Sequence, residues 1–131
     1  MRKLDKKATA IFGKLTEGLT KIGDHRKISN ATGFMPVSVE IVGSAPAGKI
    51  VAVAHYYEQN RDLMADPDMT FVVADEGIFP LTYQQDNLGI YQEAGRFEGS
   101  TLRVNPRLQS QLAKFANQWM RNIEDQQFHG E

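Results

Sequence analysis

The chain contains no cysteine. Disulfides, thiolate metal centres and cysteine nucleophiles are therefore excluded, and the composition is compatible with a reducing compartment. No run approaches the roughly 20 consecutive apolar residues of a membrane-spanning helix. Behind the basic N-terminus, Ala8–Phe12 is too short and too polar at its flanks to be a secretory signal core. The expectation is a cytoplasmic protein without a membrane partner. No serine stands in a Gly-x-Ser-x-Gly setting, so nothing marks an acyl-transfer nucleophile. His25, His55 and His129 are too scattered to form a zinc pair on one helix. No cofactor is implied.

What is present suffices for one domain spanning 1–131. The 131 residues are 41% apolar and 24% charged, an ordinary globular balance. A chain of this length can bury roughly two thirds of its unfolded surface and needs no covalent staples. Its formal charge of −1 hides a segregation. Residues 1–27 carry +5, residues 28–95 carry −7, and residues 96–131 carry +1. The plain reading is a basic helix balanced against an acidic sheet.

Leu4, Ala8, Ile11, Leu15, Leu19 and Ile22 recur at helical spacing, which predicts an amphipathic helix over 3–22. Residues 23–35 read as a connection rich in Gly, Asp and Asn. Pro36 opens a first strand in which Val37, Val39 and Ile41 alternate with Ser38 and Glu40. A second strand, about 49–58, is apolar on both faces as far as Ala54, the mark of a central position or of cover on both sides. Met69, Phe71 and Val73 alternate again. Asp75-Glu76-Gly77 suits a three-residue hairpin, and Phe79, Leu81 and Tyr83 follow, with Pro80 marking an edge or a bulge. Asp86–Gly89 turns the chain into Ile90–Ala94, and Thr101–Val104 forms a last short extended piece. Asn105 and Pro106 are a good N-cap and first helical residue. Leu108, Leu112, Phe115, Ala116, Trp119 and Ile123 then form one apolar stripe of a helix reaching about Asp125. Short connections exclude a parallel sheet. The expected fold is α+β: an N-terminal helix, a four- to five-stranded antiparallel meander and a C-terminal helix, in two layers with both helices on one sheet face.

Gly43-Ser44-Ala45-Pro46-Ala47-Gly48-Lys49-Ile50 has the glycine and lysine spacing of a phosphate-binding loop. Ile50 stands where Ser or Thr would hold magnesium, and strand-like Val51–Ala54 follows where a helix is required. A hairpin explains both glycines. The strongest functional candidate is a polar connection expected between the second and third strands, holding Asp62, Asp66 and Asp68 just after Glu58. Converging carboxylates could bind magnesium or manganese and activate water. Asp-Pro-Asp is equally ordinary turn chemistry. His55, at the end of an apolar strand, reads first as a hydrogen-bonded structural histidine. Lys3, Lys7, Lys14 and Lys21 share one side of the first helix, and Arg107, Lys114 and Arg121 line up on the last. Such ridges could meet nucleic-acid phosphates. A solvated face is the plainer account, favoured by a sequence pI near 6.3.

His55-Tyr56-Tyr57-Glu58-Gln59-Asn60, then Asp62-Leu63-Met64-x-Asp66-Pro67-Asp68-Met69, and later Leu88-Gly89-Ile90-Tyr91-Gln92-Glu93, resemble a family of uncharacterised bacterial domains associated with plasmids, phages and integrative elements. The similarity covers roughly residues 37–94. The family pattern has Gly where this chain has Arg61. The resemblance implies a mobile-element accessory protein and, indirectly, partners that handle DNA. It supplies no catalytic role.

The leading expectation is a non-catalytic protein acting through a protein partner. Its candidate surface is His55, Tyr57, Glu58, Asp62, Asp66 and Asp68, joined by Tyr83, Asp86, Tyr91 and Glu93 from neighbouring strands. The alternatives are a metal-dependent hydrolase or nuclease using Asp62, Asp66 and Asp68, and a weak nucleic-acid module using Lys3, Lys7, Lys14 and Lys21.

Overall fold

The computed structural model describes residues 1–128; His129 lies outside them. Helix α1 (Lys6–Leu15) is followed by strands β1 (His25–Ile28), β2 (Val37–Ala45), β3 (Gly48–Gln59), β4 (Asp62–Ala74), β5 (Gly77–Gln85), β6 (Ile90–Glu93), β7 (Gly95–Glu98) and β8 (Thr101–Val104), and by helix α2 (Pro106–Gln127). Strands β1 to β6 pair in sequence order, every pair antiparallel, and β7–β8 form a separate hairpin. The α+β class and the two flanking helices are as expected, but the meander has six strands.

Four local expectations need correction. The first helix ends at Leu15, so Lys3 precedes it and Lys21 follows it. Ile22, expected on its apolar stripe, is 63% exposed. Within the stretch expected to be a connection, His25–Ile28 form an edge strand. The third correction matters most for function: the ten-residue acidic connection does not exist. Strands β3 and β4 continue as one long hairpin, paired out to Gln59 and Asp62, and turn through Asn60 and Arg61. Both turn residues have positive φ, 52° and 70°, as a tight two-residue hairpin turn requires. Asn tolerates that conformation; Arg61 adopts it without the help of a glycine. Likewise Asp75 and Glu76 make a two-residue turn, because Gly77 already pairs with Ala74.

Strand periodicity sends alternate residues to opposite faces. Val37, Val39 and Ile41 of β2, Val51 and Val53 of β3, and Met69 and Phe71 of β4 meet the apolar stripes of both helices in the main core. Phe12 of α1 and Phe71 of β4 pack edge to face at 5.2 Å. Met120 and Ile123 of α2 are fully buried there. On the reverse face, Val72, Phe79 and Leu81 form a smaller cluster with Ile50, roofed by Phe97 and Leu102 of the β7–β8 hairpin. This roof accounts for the apolar start of β3 on its second face. The phosphate-loop lookalike is the β2–β3 turn. Gly48 there has φ 155° and packs so closely on β4 that a Cβ would fall on the Val73 carbonyl oxygen.

Helix α2 also fastens distant chain with polar side chains. Asn105 caps its N-terminus. Buried Gln109 accepts from Arg2 N at 2.7 Å and donates to Arg2 O at 2.7 Å. Asn117 Oδ1 accepts from Asp5 N at 2.9 Å. Buried Gln127 accepts from Asn30 N at 2.7 Å and donates to Met35 O at 3.1 Å. Neither glutamine was recognisable as buried from the sequence, where both read as polar positions of an amphipathic helix.

Candidate functional site

Beyond the hairpin roof, the reverse face of the sheet is uncovered. Register places Lys27, Ser38, Ala54, Asp68, Gln84 and Tyr91 in one row across all six strands. The adjacent row is His25, Glu40, Ala52, Thr70, Thr82 and Glu93. Paired residues point to the same side, so both rows face away from the helices. Small side chains at Ala52 and Ala54 leave a depression, a cavity of about 510 Å³. Tyr56, Leu63, Glu40, Val42, Lys27 and Asp68 are among the residues that border it. Leu63 is 68% exposed and Val42 44%, an apolar rim around a partly polar floor.

Tyr56 and Asp68 are the chemical centre of this face. The Tyr56 hydroxyl donates to Asp68 Oδ2 at 2.9 Å. Burial, reinforced by the charges of Asp68, Glu40 and Asp86, pushes the Tyr56 phenol up to about 12. Burial, with the Asp86 charge adding to it, raises the Asp68 carboxyl above its ordinary range, although the Tyr56 hydrogen bond opposes the shift. Asp86 behaves in the opposite sense. It accepts from Ala65 N at 2.8 Å and from Gln84 Nε2 at 2.8 Å, and these bonds hold its carboxyl low. The two carboxylates are thus pushed apart by their surroundings. Beside them Thr70 and Thr82 share a hydroxyl hydrogen bond of 2.5 Å.

The residues expected to form one surface divide between the two faces. A register shift between Ala54 and Tyr56 leaves His55 opposite the Asp66–Pro67 step, turned toward the helices. His55 is buried, packs edge to face on Trp119 at 5.6 Å, and donates from Nδ1 to Pro36 O at 3.1 Å. The carbonyl can only accept, so the tautomer follows. Burial depresses the His55 pKa, opposed by the Pro36 bond and the Asp66 charge. It is a neutral structural histidine. Asp66 acts on His55 and Tyr83, on the helical side. Tyr83 itself packs on Phe115 at 5.3 Å and donates to Gln85 Oε1 at 2.7 Å. Asp68 acts on Tyr56 and Tyr91, on the open side. Asp62 pairs with Gln59 at the exposed hairpin tip, with Glu58 and Tyr57 opposite Leu63 and Met64. Asp62, Asp66 and Asp68 therefore do not converge. Among the described residues, no group of three His, Asp or Glu side chains could hold a metal. Glu93, on the open face, is engaged by Arg96 at 3.8 Å.

The basic ridge is also dispersed. Lys7 and Lys14 both reach Glu124 of α2, at 3.5 and 3.7 Å, and Lys14 lies 5.4 Å over the Phe128 ring. Lys3 donates to Glu76 O at 3.4 Å, and Lys21 sits in the connection after α1. Arg121 pairs with Asp5 at 3.0 Å.

Sequence reasoning passed over Tyr56, Glu40, Ala52 and Ala54. A signal was available: Ala52, Ala54 and Tyr56 run small, small, aromatic on one face of β3, and the two alanines lie opposite polar Glu40 and Ser38 of β2.

A family model described as a domain of unknown function, DUF6908, matches residues 6–129. The chain belongs to that family. The match takes in both helices and all eight strands, so the open face is part of the DUF6908 domain itself. No curated protein and no solved structure matches this DUF6908 chain.

Proposed function

We propose that this domain is a non-catalytic binding module that receives a protein partner on the open face of its sheet. The observation that carries the proposal is the depression over Ala52 and Ala54, left uncovered between the helix-packed core and the β7–β8 roof, with exposed Leu63 and Val42 on its rim. Apolar contact area bordered by polar groups that can each take one hydrogen bond is the chemistry of a transient protein interface. Tyr56, hydrogen-bonded to Asp68, is a phenol held protonated by burial rather than an activated nucleophile. Hydrolysis at a metal would need carboxylate oxygens about 2.0–2.6 Å from one cation, and Asp62, Asp66 and Asp68 are too dispersed for it. Contact with nucleic acid through the first-helix lysines is weakened by their pairing with Glu124. Residence in a mobile genetic element belongs to the same proposal and rests on the motif resemblance.

Photo-crosslinking tests it. A crosslinking residue at Leu63 or Val42 is expected to capture a discrete protein in the native host, and the same residue at Lys114 on α2 is not. Ala52→Arg, which fills the depression, is expected to abolish the capture. Equal capture from both faces, or capture indifferent to Ala52→Arg, removes the open face as the interface.

A further inference from the structure

The open face carries charge of both signs, sorted by strand. Lys27 of β1, exposed, and Asp68 of β4, half-buried, stand in one row with Ser38 and Ala54 between them. Three strand spacings of about 4.8 Å hold their backbones about 14 Å apart, too far for an ion pair within the chain. Among the described residues, neither enters an ion pair, nor does exposed Glu40 of the adjacent row. The other two basic residues of β1 have partners elsewhere. Arg26 donates to Lys14 O at 2.8 Å, at the end of α1, and His25 Nδ1 lies 3.2 Å from Gly23 O. Between the two signs the ground is low, with Ala52 and Ala54 as its floor and exposed Val42 and Leu63 on its rim.

We infer that the open face receives a second copy of this chain, sheet against sheet, about a two-fold axis parallel to the strands and lying between β2 and β3. This rests on the binding-module reading and names its partner. Such an axis lays β1 of one copy over β4 of the other, and β2 over β3. Each Lys27 then meets the other copy's Asp68, and the pair forms twice, as a self-complementary interface requires. Glu40 comes over Ala52, a long side chain over a small one, and Ser38 over Ala54. Sheets packed face to face lie about 10 Å apart, a gap that a lysine and an aspartate side chain close from its two sides. A two-fold across the strands would set β1 on β1 and β4 on β4, like charge on like. The β7–β8 roof stands at the Val72–Phe79 end of β4 and β5. The chosen axis points it past the end of β1, which pairs with β2 only from His25 to Ile28. Asp68 is already half-buried, so covering it removes little further water, and Lys27 supplies the opposite charge. Two such faces bury on the order of 1,000 Å² together, the low end for a specific interface, so the dimer is reversible.

Analytical ultracentrifugation of the purified intact chain tests this. A monomer–dimer equilibrium is expected at micromolar concentrations, weakening as salt rises. Lys27→Glu and Asp68→Lys each turn two attractions into two repulsions and are expected to weaken the dimer by about tenfold or more. Mixed together, the two variants are expected to dimerise again, because opposite charges then meet at both places. Ala52→Arg is expected to abolish the dimer. Thermal unfolding checks that each variant is folded; if Asp68→Lys is not, Asp68→Asn replaces it, and the weakening by Lys27→Glu, at an exposed position, decides. A dimer indifferent to Lys27→Glu and Ala52→Arg, or folded variants that fail to rescue each other, overturns the inference. A chain that stays monomeric, yet is crosslinked to another protein through Leu63 and not through Lys114 in the host, overturns the second copy and leaves the binding face standing. A monomer without that capture removes the face and the inference together.

Discussion

One sheet presents two faces built from the same strands, and they follow different rules. On the helical face, side chains of β2, β3 and β4 are sealed against α1 and α2, and even a histidine is held neutral by burial and one carbonyl. On the open face, a few ångströms of backbone away, Tyr56 and the half-buried Asp68 share ground with alanines, and no helix covers them. The first arrangement maximises apolar area removed from water. The second keeps desolvated charge, which is costly for folding unless something outside the chain makes use of it.

That contrast can be broken by substitution. Met120→Ala or Ile123→Ala, in fully buried positions of α2, is expected to cost about 2–5 kcal/mol in urea unfolding. Leu63→Ala, on the open rim, should stay within about 0.5 kcal/mol. A rim substitution as costly as the core ones would show that the open face is a structural face. Between these, Gly48→Ala is expected to cost about 3 kcal/mol, because both its φ and the Val73 carbonyl forbid a Cβ. A normal urea midpoint for that variant would mean the β2–β3 turn rearranges freely.

The faces should also separate in pH. Folding holds the Tyr56 proton more tightly, so the stability it contributes is complete below the ordinary tyrosine value of 10.0 and is lost as pH rises through about 12. In ultraviolet titration Tyr56 should be late to ionise, and Asp68→Asn should bring it down. His55 has the opposite sign. Its contribution is complete above 6.5 and is lost as pH falls through its depressed folded value, the imidazole then demanding water. Ring-nitrogen NMR should find it neutral, with the proton on Nδ1, at pH 6.5. A protonated ring there would place His55 in contact with solvent. A modest effect of opposite sign concerns the hairpin tip: Arg61→Gly should raise stability by about 1 kcal/mol, relieving a left-handed non-glycine residue. An unchanged thermal midpoint would mean the turn is already relaxed.

Much of the helical face was legible. The stripe of α2, its Asn105 cap, and the alternation in β2 and in the second half of β4 are period signals, and burial follows period. Pro80 correctly marked a bulge, where β5 shifts register against β4. The open face was harder to read. Asp62, Asp66, Pro67 and Asp68 look like turn residues, and local propensity argues for a loop. Pairing with β3 overrides it, as tertiary context often does for strands. Placing the acids in a strand sends Asp66 and Asp68 to different faces across the register shift, so seven residues of sequence proximity do not become one site. The two-residue turn was hidden as well, because Arg61 occupies a position where glycine is the recognisable signal.

The glutamine and asparagine clasps of α2 have a consequence for the order in which the protein can be made. Neighbouring strands of a meander can pair as soon as each leaves the ribosome, since every partner is the preceding strand. The N-terminal segment has no such neighbour. Arg2 and Asp5 find their partners, Gln109 and Asn117, at sequence separations of 107 and 112, and Asn30 finds Gln127 at 97. A nascent chain lacking α2 therefore has a sheet whose apolar face is covered only in part, by α1 through contacts such as Phe12 on Phe71. The clasps on Arg2, Asp5 and Asn30 therefore close only once α2 is in place, however early the sheet has paired.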